Sequence, residues 1–480
     1  MSQIVRRRYH VVRGIQHVPV ESFFHTGEKF CDCPNKSRHE PRASSGSGGL
    51  LKVMSTNRNL ILAAMVVSMV LGYLPWYNFS AVQQYIAAEY MLTARDVGVI
   101  LAAFQAGYVA LVPIAGYLGD RVGASRTVFW ATLATGIFST VFALGKWSKT
   151  GVLILRMLTG LTAGAIYVPG LSLLSRWFPQ EKRGNILGAY TAALVAAYAG
   201  GYFVAAPLAA KYGWRTGILW TSLPAFVAAA VVALLVKDPP VPSADRFRPH
   251  PIKPLQKVSG AAVDPAPRGG FAGPLLLTVA YIGHMWEQYA FWGWLGPFLV
   301  AVATAAGMGP NESALWGGRT AALVILLGAP ASWIWGMMAD RKGRTWAIAV
   351  AAGLSLMGEM ILGSLVGRSL VVVVAVAAWI GFWVVADSAV YKAALIEMTE
   401  VNSRGLYLGL QSAVGYVVTI VAPVVFGKVL EASNGAVPTS QMRVWAPAFV
   451  ALGAGALVAP VGAMLLRATK QALLMGSGKK

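Results

Sequence analysis

Apolar residues run along this chain in long blocks, with polar residues confined to short gaps. Twelve blocks can be bounded, at 59–79, 97–118, 127–145, 150–175, 185–208, 214–236, 274–304, 313–338, 345–366, 369–396, 405–430 and 444–467. Most last about 20 residues or more, enough at roughly 1.5 Å per residue to cross a hydrocarbon core of about 30 Å. Backbone N–H and C=O groups in hydrocarbon must be satisfied within the segment, so each block is expected to be helical. Gly and Pro inside the blocks fit membrane helices better than soluble ones. The expected fold class is an all-α multi-pass membrane protein.

The polar gaps carry a repeat. Gly116-Tyr-Leu-Gly-Asp120-Arg121-Val-Gly123 returns as Gly336-Met-Met-Ala-Asp340-Arg341-Lys-Gly343, and Arg183-Gly184 is answered by Arg404-Gly405. Each copy follows a pair of apolar helices, so two homologous halves are expected, a six-helix bundle over 59–236 and another over 274–467. Residues 237–273, with Pro239, Pro240, Pro249, Pro251, Pro254, Pro265 and Pro267, are too Pro-rich for helix and too polar for the membrane. They read as a cytoplasmic linker that lets the halves rock.

Composition agrees. Charged residues make up 12% of the chain, against about 25% in a soluble domain, and mean hydropathy is +0.58. With the N-terminus cytoplasmic, 29 of the 40 Lys and Arg residues fall in the tails and the cytoplasmic connections, which places both termini inside. The net charge of +21 then reflects topology and attraction to anionic lipid headgroups. Nucleic acid is not the expected partner, because no basic stretch is interleaved with aromatics. The expected partners are the bilayer and a small inorganic ion or small-molecule substrate.

Residues 1–58 read as a disordered basic cytoplasmic tail, with Met54 a candidate start. The tail holds Cys31, Cys33 and four of the six histidines, yet a Cys-x-Cys spacing without a His pair does not suit structural zinc. Residues 468–480 read as a second cytoplasmic tail. No nucleophile–base constellation or cofactor motif appears, so catalysis is not expected and the cofactors are none, a coupling proton aside.

Ionisable groups cost roughly 2.5–3.5 kcal/mol each at the centre of a membrane helix, so the few present mark the candidate substrate path. His284, Glu287, Gln288 and Phe291 share one face of helix 7 at i, i+3, i+4 and i+7. Imidazole beside carboxylate can relay protons or ligate a transition metal; the alternative is a hydrogen-bonded pair that fixes helix packing, but two ionisable groups on one midplane face exceed what packing needs. Asp387 follows in helix 10, with Tyr391 one turn on and Lys392 placed to snorkel. The repeat aligns Asp387 with Ile166, so the charge is not a relic of duplication. His284, Glu287 and Asp387 form the candidate metal set. Arg156 and Arg319 enter from the outer side and could hold an anion or pair with Glu287 or Asp387. Glu359 is expected at the periphery. Trp76, Tyr77 and Asn78 fit an outer entrance, with an interfacial aromatic belt the alternative for the first two, and Tyr198 and Tyr416 fit either a cavity or packing.

Gly116, Asp120, Arg121 and Gly123, with Gly336, Asp340, Arg341 and Gly343, are the candidate gating motifs. A helix C-terminus favours cations, which suits Arg121, while Asp120 can cap the next segment or pair across the bundle. Such a cluster could latch the halves and release as they rock.

The two Gly-x3-Asp-Arg-x-Gly copies, with twelve spans in 6+6 form, resemble the major facilitator superfamily over roughly 54–470. Arg156-x3-Gly160-x3-Gly164 is similar to the helix 4 motif of that family, and Trp177-Phe178-Pro179-x3-Arg183-Gly184 to its 4–5 loop; helix 5 lacks the Gly-Pro pair of its drug exporters. The resemblance implies the major facilitator fold and secondary transport by alternating access. Asn59-Leu-Ile-Leu-Ala-Ala-Met, Trp76-Tyr-Asn-Phe-Ser and Gly283-His-Met-Trp-Glu-Gln-Tyr resemble a bacterial branch that includes a magnetosome membrane protein. That further resemblance implies iron transport for magnetite biomineralisation, in the magnetosome or inner membrane. Two other functions stay open. One is a proton-coupled permease for nitrate or a carboxylate, although Val99 stands where a nitrate carrier would place a second arginine. The other is a non-transporting membrane scaffold.

Overall fold

The computed structural model describes residues 58–239, 270–400 and 403–479. The N-terminal tail, with Cys31, Cys33 and Met54, and linker residues 240–269 lie outside the described residues. Twelve helical rods follow in order: α1 (Arg58–Tyr90), α2 (Ala94–Val122), α3 (Ala124–Leu144), α4 (Lys149–Trp177), α5 (Gln180–Tyr212), α6 (Trp214–Leu235), α7 (Ala272–Ala305), α8 (Pro310–Lys342), α9 (Arg344–Leu365), α10 (Leu370–Met398), α11 (Arg404–Asn434) and α12 (Ala446–Ala468). No strand occurs among the described residues. Eleven of the rods carry a window apolar enough to cross a membrane. α7 is the longest at 34 residues, and its apolar run is interrupted by His284, Glu287 and Gln288.

Several rods are broken, and most breaks have a proline as cause. A proline inside a helix removes one N–H and clashes with the carbonyl four residues back. α4 breaks around Ile166, α8 at Leu327 and α12 at Leu457, each three residues before Pro169, Pro330 or Pro460. α6 breaks before Pro224, and α1 breaks over residues 74–77 around Pro75. α1 therefore runs past the expected end at 79, and Trp76 and Tyr77 fall in its interior, buried, rather than at an outer entrance or interfacial belt. α10 breaks at Asp387 with no proline nearby.

The two halves, α1–α6 and α7–α12, press together toward the face where α2 begins, hereafter the far face. Gln83 Nε2 donates to Thr439 Oγ1 (2.6 Å), Tyr85 Oη to Asn311 Oδ1 (3.1 Å), the Arg95 N–H to Glu431 Oε2 (2.9 Å) and Tyr202 Oη to the Trp292 carbonyl (2.8 Å). Glycine makes the approach possible. A methyl group at Gly98 would lie 2.5 Å from the Pro423 carbonyl oxygen, and one at Gly427 would collide with the Ala94 carbonyl. At the opposite face, which carries the repeated motif, Gly188 of α5 and Gly409 of α11 have open space beside them.

Both motifs turn on their last glycine, with φ of +105° at Gly123 and +107° at Gly343, a region that residues with a Cβ rarely adopt. The carboxylate that caps α3 is Asp238, from the end of the first half. It accepts from the Ala124 N–H (3.0 Å) and the Ser125 hydroxyl (2.6 Å), so the capping role expected of Asp120 belongs to Asp238. Asp120 is exposed, and Arg121 lies over the Tyr117 ring. In the second copy, Asp340 pairs with Arg344 (2.6 Å), which pairs with Glu397 (2.7 Å). These charges stay within their own half, so among the described residues the expected latch across the bundle is not formed in this conformation. The C-terminal segment read as a tail packs against the second half. Ala472 and Met475 are buried, the Gly476 N–H donates to Glu397 Oε2 (2.8 Å) and Lys479 Nζ to the Asp340 carbonyl (3.1 Å).

Candidate functional site: a buried arginine between the halves

The broken middle of α1 exposes the carbonyls of Pro75 and Trp76, and Arg156 of α4 takes both. Its Nη1 donates to Pro75 O (3.1 Å) and Asn78 Oδ1 (3.3 Å), and its Nη2 to Trp76 O (3.1 Å). The guanidinium lies over the Phe104 ring at 4.6 Å and is 1% exposed. Among the described residues no carboxylate pairs with it, and its Nε–H has no acceptor. Glu287 and Asp387 are therefore not its partners, contrary to one expectation. Arg156 borders a small cavity lined by Trp76, Tyr77, Phe104 and Gln105 of the first half and by Tyr289, Gly293 and Pro423 of the second.

Aromatic rings enclose this cavity. Trp76 packs on Tyr108 (4.7 Å), Tyr198 (4.9 Å) and Tyr289 (6.3 Å), and Tyr108 meets Tyr416 across the halves at 5.4 Å. Tyr198 also meets Trp292 of α7 at 5.5 Å. Tyr198 and Tyr416 thus stand at the interface of the halves. Arg319 does not join them: it is exposed on α8 and takes no part in lining the cavity.

A second polar cluster lies within the second half. His284 Nδ1 is 3.0 Å from Asp387 Oδ1, and His284 Nε2 is 2.8 Å from Ser388 Oγ, which also lies 3.4 Å from Gln288 Oε1. Tyr281 and Tyr391 pack beside the imidazole at 5.8 and 5.2 Å, and edge to face with each other at 5.3 Å. With Nδ1–H given to Asp387, Nε2 can accept the Ser388 hydroxyl proton or, when protonated, donate to that oxygen while Ser388 donates to Gln288. The same heavy-atom arrangement accommodates both protonation states of the ring.

Glu287 does not complete this cluster. It is buried, with Oε1 unpartnered among the described residues, faces Ser355 and Glu359 of α9, and lies within electrostatic range of Asp387. Glu359 is fully buried rather than peripheral as expected. Among the described residues no three His, Cys, Asp or Glu side chains converge as a metal site, so His284, Glu287 and Asp387 do not form the expected ligand set. The reason is local: Asp387 is committed to the imidazole, and Glu287 lies against a different helix. Lys392, expected to snorkel, donates instead to Gln411 Oε1 and Ser412 Oγ, both at 3.0 Å, and sits 4.1 Å from the Tyr281 ring centre. Ser388, Gln411 and Ser412 were not anticipated, although a Gln-Ser pair within an apolar run is a signal of the same kind as Glu287-Gln288.

Comparison with known proteins adds the class. Residues 62–295 match the family described as Major Facilitator Superfamily. The hexuronate transporter of Bacillus subtilis (strain 168) is 23% identical over 188 residues, which cover 39% of this chain and 44% of that protein. The probable nitrate transporter NarT of Staphylococcus aureus (strain MRSA252) is 30% identical over 158 residues, 33% of this chain and 40% of that protein. The probable sulfoacetate transporter SauU of Cupriavidus necator is 23% identical over 320 residues, 64% and 70% of the two chains. The chain thus matches less than half the length of the hexuronate and nitrate transporters. Among solved structures, a bacterial homolog of the human lysosomal transporter Spinster, inward-facing and unoccupied, superposes with a TM-score of 0.68 at 15% identity, over 85% of this chain and 96% of that one. The chain is a multi-pass membrane protein with the major facilitator fold, two bundles of six helices.

Proposed function

We propose that this chain is a secondary transporter of small anions that works by alternating access in a bacterial inner membrane. The observation that carries this is Arg156, a buried cation without a carboxylate partner, bordering a cavity that both halves line. A guanidinium with an unspent Nε–H in an aromatic-walled space favours an oxyanion, which can take a charge-assisted hydrogen bond there. The names of the relatives above, a hexuronate, a nitrate and a sulfoacetate transporter, are all of anion carriers. With the motif face at the cytoplasm, the tight far face closes the outside and the cavity discharges inward. His284 and Asp387 provide the site for a coupling proton.

Resemblance to the magnetosome protein MamH adds iron as a cargo. Because no ligand set for a bare cation converges among the described residues, iron would suit Arg156 as an anionic chelate such as ferric citrate.

The test is uptake of radiolabelled glucuronate, sulfoacetate, nitrate and ferric citrate into proteoliposomes. At least one anion should enter with the wild type and fail to enter with Arg156→Gln, while Arg156→Lys verifies that the fold tolerates a change there. Uptake of none, or uptake indifferent to Arg156→Gln, overturns the function.

A further inference from the structure

We propose that Lys392, Gln411 and Ser412 form a second anion subsite, on the motif side of the Tyr108–Tyr416 pair, which receives the anion as it leaves the Arg156 cavity. The proposal rests on the anion function above.

Three observations converge on it. The first is charge. The Lys392 ammonium is partly buried, and both its hydrogen-bond partners are neutral oxygens. Neither these contacts nor the Tyr281 ring supplies a counter-charge. A lysine within a membrane helix is costly unless paired or facing a polar path.

The second is unspent donors. Gln411 is fully buried, and its Nε2 has no acceptor among the described residues. Its orientation is fixed, because reversing the amide would set two donors against each other at Lys392. The Ser412 oxygen accepts from Lys392, which leaves its O–H for another acceptor. An ammonium, an amide N–H and a hydroxyl side by side match the oxygens of one carboxylate or sulfonate.

The third is position. Ser412 lies about one turn before Tyr416 on the same face of α11, about 6 Å nearer the motif face. Tyr416 touches Tyr108 and Tyr289, and Tyr108 touches Trp76 at the cavity wall. From Arg156 toward the motif face, the order is cavity, tyrosine pair, Lys392. An anion that passes the tyrosines meets a prepared cation within one helical turn.

Side-resolved flux of radiolabelled glucuronate, sulfoacetate and nitrate by the full chain in proteoliposomes tests this. Lys392→Gln and Ser412→Ala should each raise KM for entry from the motif face roughly tenfold or more. KM for entry from the far face should stay within about twofold, and Lys392→Arg should recover the wild-type value. If Lys392→Gln fails to assemble, Ser412→Ala and Gln411→Leu carry the measurement. Motif-face KM unchanged in these variants, while Arg156→Gln still abolishes flux, overturns the subsite and leaves the anion function standing. Absence of wild-type flux for all three probes removes both.

Discussion

His284 and Asp387, 103 residues apart in sequence, face each other at 3.0 Å with both side chains 2% exposed. The pair joins the middle of α7 to the break in α10. Asp387→Asn keeps an oxygen for the Nδ1–H of His284 but removes the charge that balances an imidazolium. Accumulation of anion driven by an imposed pH gradient should fall at least roughly tenfold, while exchange of labelled for unlabelled anion persists. Gradient-driven accumulation equal to wild type would separate this pair from proton coupling.

Gly98 lets α2 meet the Pro423 carbonyl of the other half. Gly98→Val inserts side-chain atoms where no space exists, so the halves should part at the far face. A cysteine introduced at Gln83, buried there beside Thr439, should react with a membrane-impermeant thiol reagent several-fold faster in the Gly98→Val background. Equal labelling rates would show that this contact does not hold the far face shut.

Gly123→Ala combines two penalties. The positive φ disfavours any Cβ, and that Cβ would lie 2.8 Å from Asp238 Oδ2, displacing the cap of α3. A loss of about 1–2 kcal/mol is expected from backbone conformation alone, with about 1 kcal/mol more from the cap. Thermal unfolding in detergent should show a lower midpoint for Gly123→Ala than for Asp238→Ala, and the reverse order would contradict this account.

Asp120 is exposed and, among the described residues, has no ion pair in this conformation. Asp120→Asn should therefore leave stability within about 0.5 kcal/mol. If the aspartate engages the other half when the motif face closes, the same substitution lowers the transport rate. Unchanged kinetics in both Asp120→Asn and Asp340→Asn would remove the gating role.

The architecture was legible because it depends on counts and periods. Twelve apolar runs and one duplicated turn suffice to define two six-helix bundles. The site was legible at single residues but not in its connections. His284, Asp387 and Arg156 announced themselves as charges in apolar runs, yet which of them pair depends on how the rods rotate. Rotation is set by packing of apolar faces, and helices apolar around most of their circumference show little periodicity to read. Hence Glu287 was grouped with His284 by spacing, while the fold turns it to Glu359 on α9. Trp76 and Tyr77 were misplaced for a related reason. An aromatic pair near the end of an apolar run looks like a membrane boundary, whereas the Pro75 break carries α1 through to Tyr90 with those rings at its centre.

Among the breaks described, those in α1, α4, α6, α8 and α12 each have a pyrrolidine ring close by, permanent because it is covalent. The interruption of α10 has none and coincides with a carboxylate bound to an imidazole. That interruption therefore rests on noncovalent contacts, which a substitution at either partner would remove.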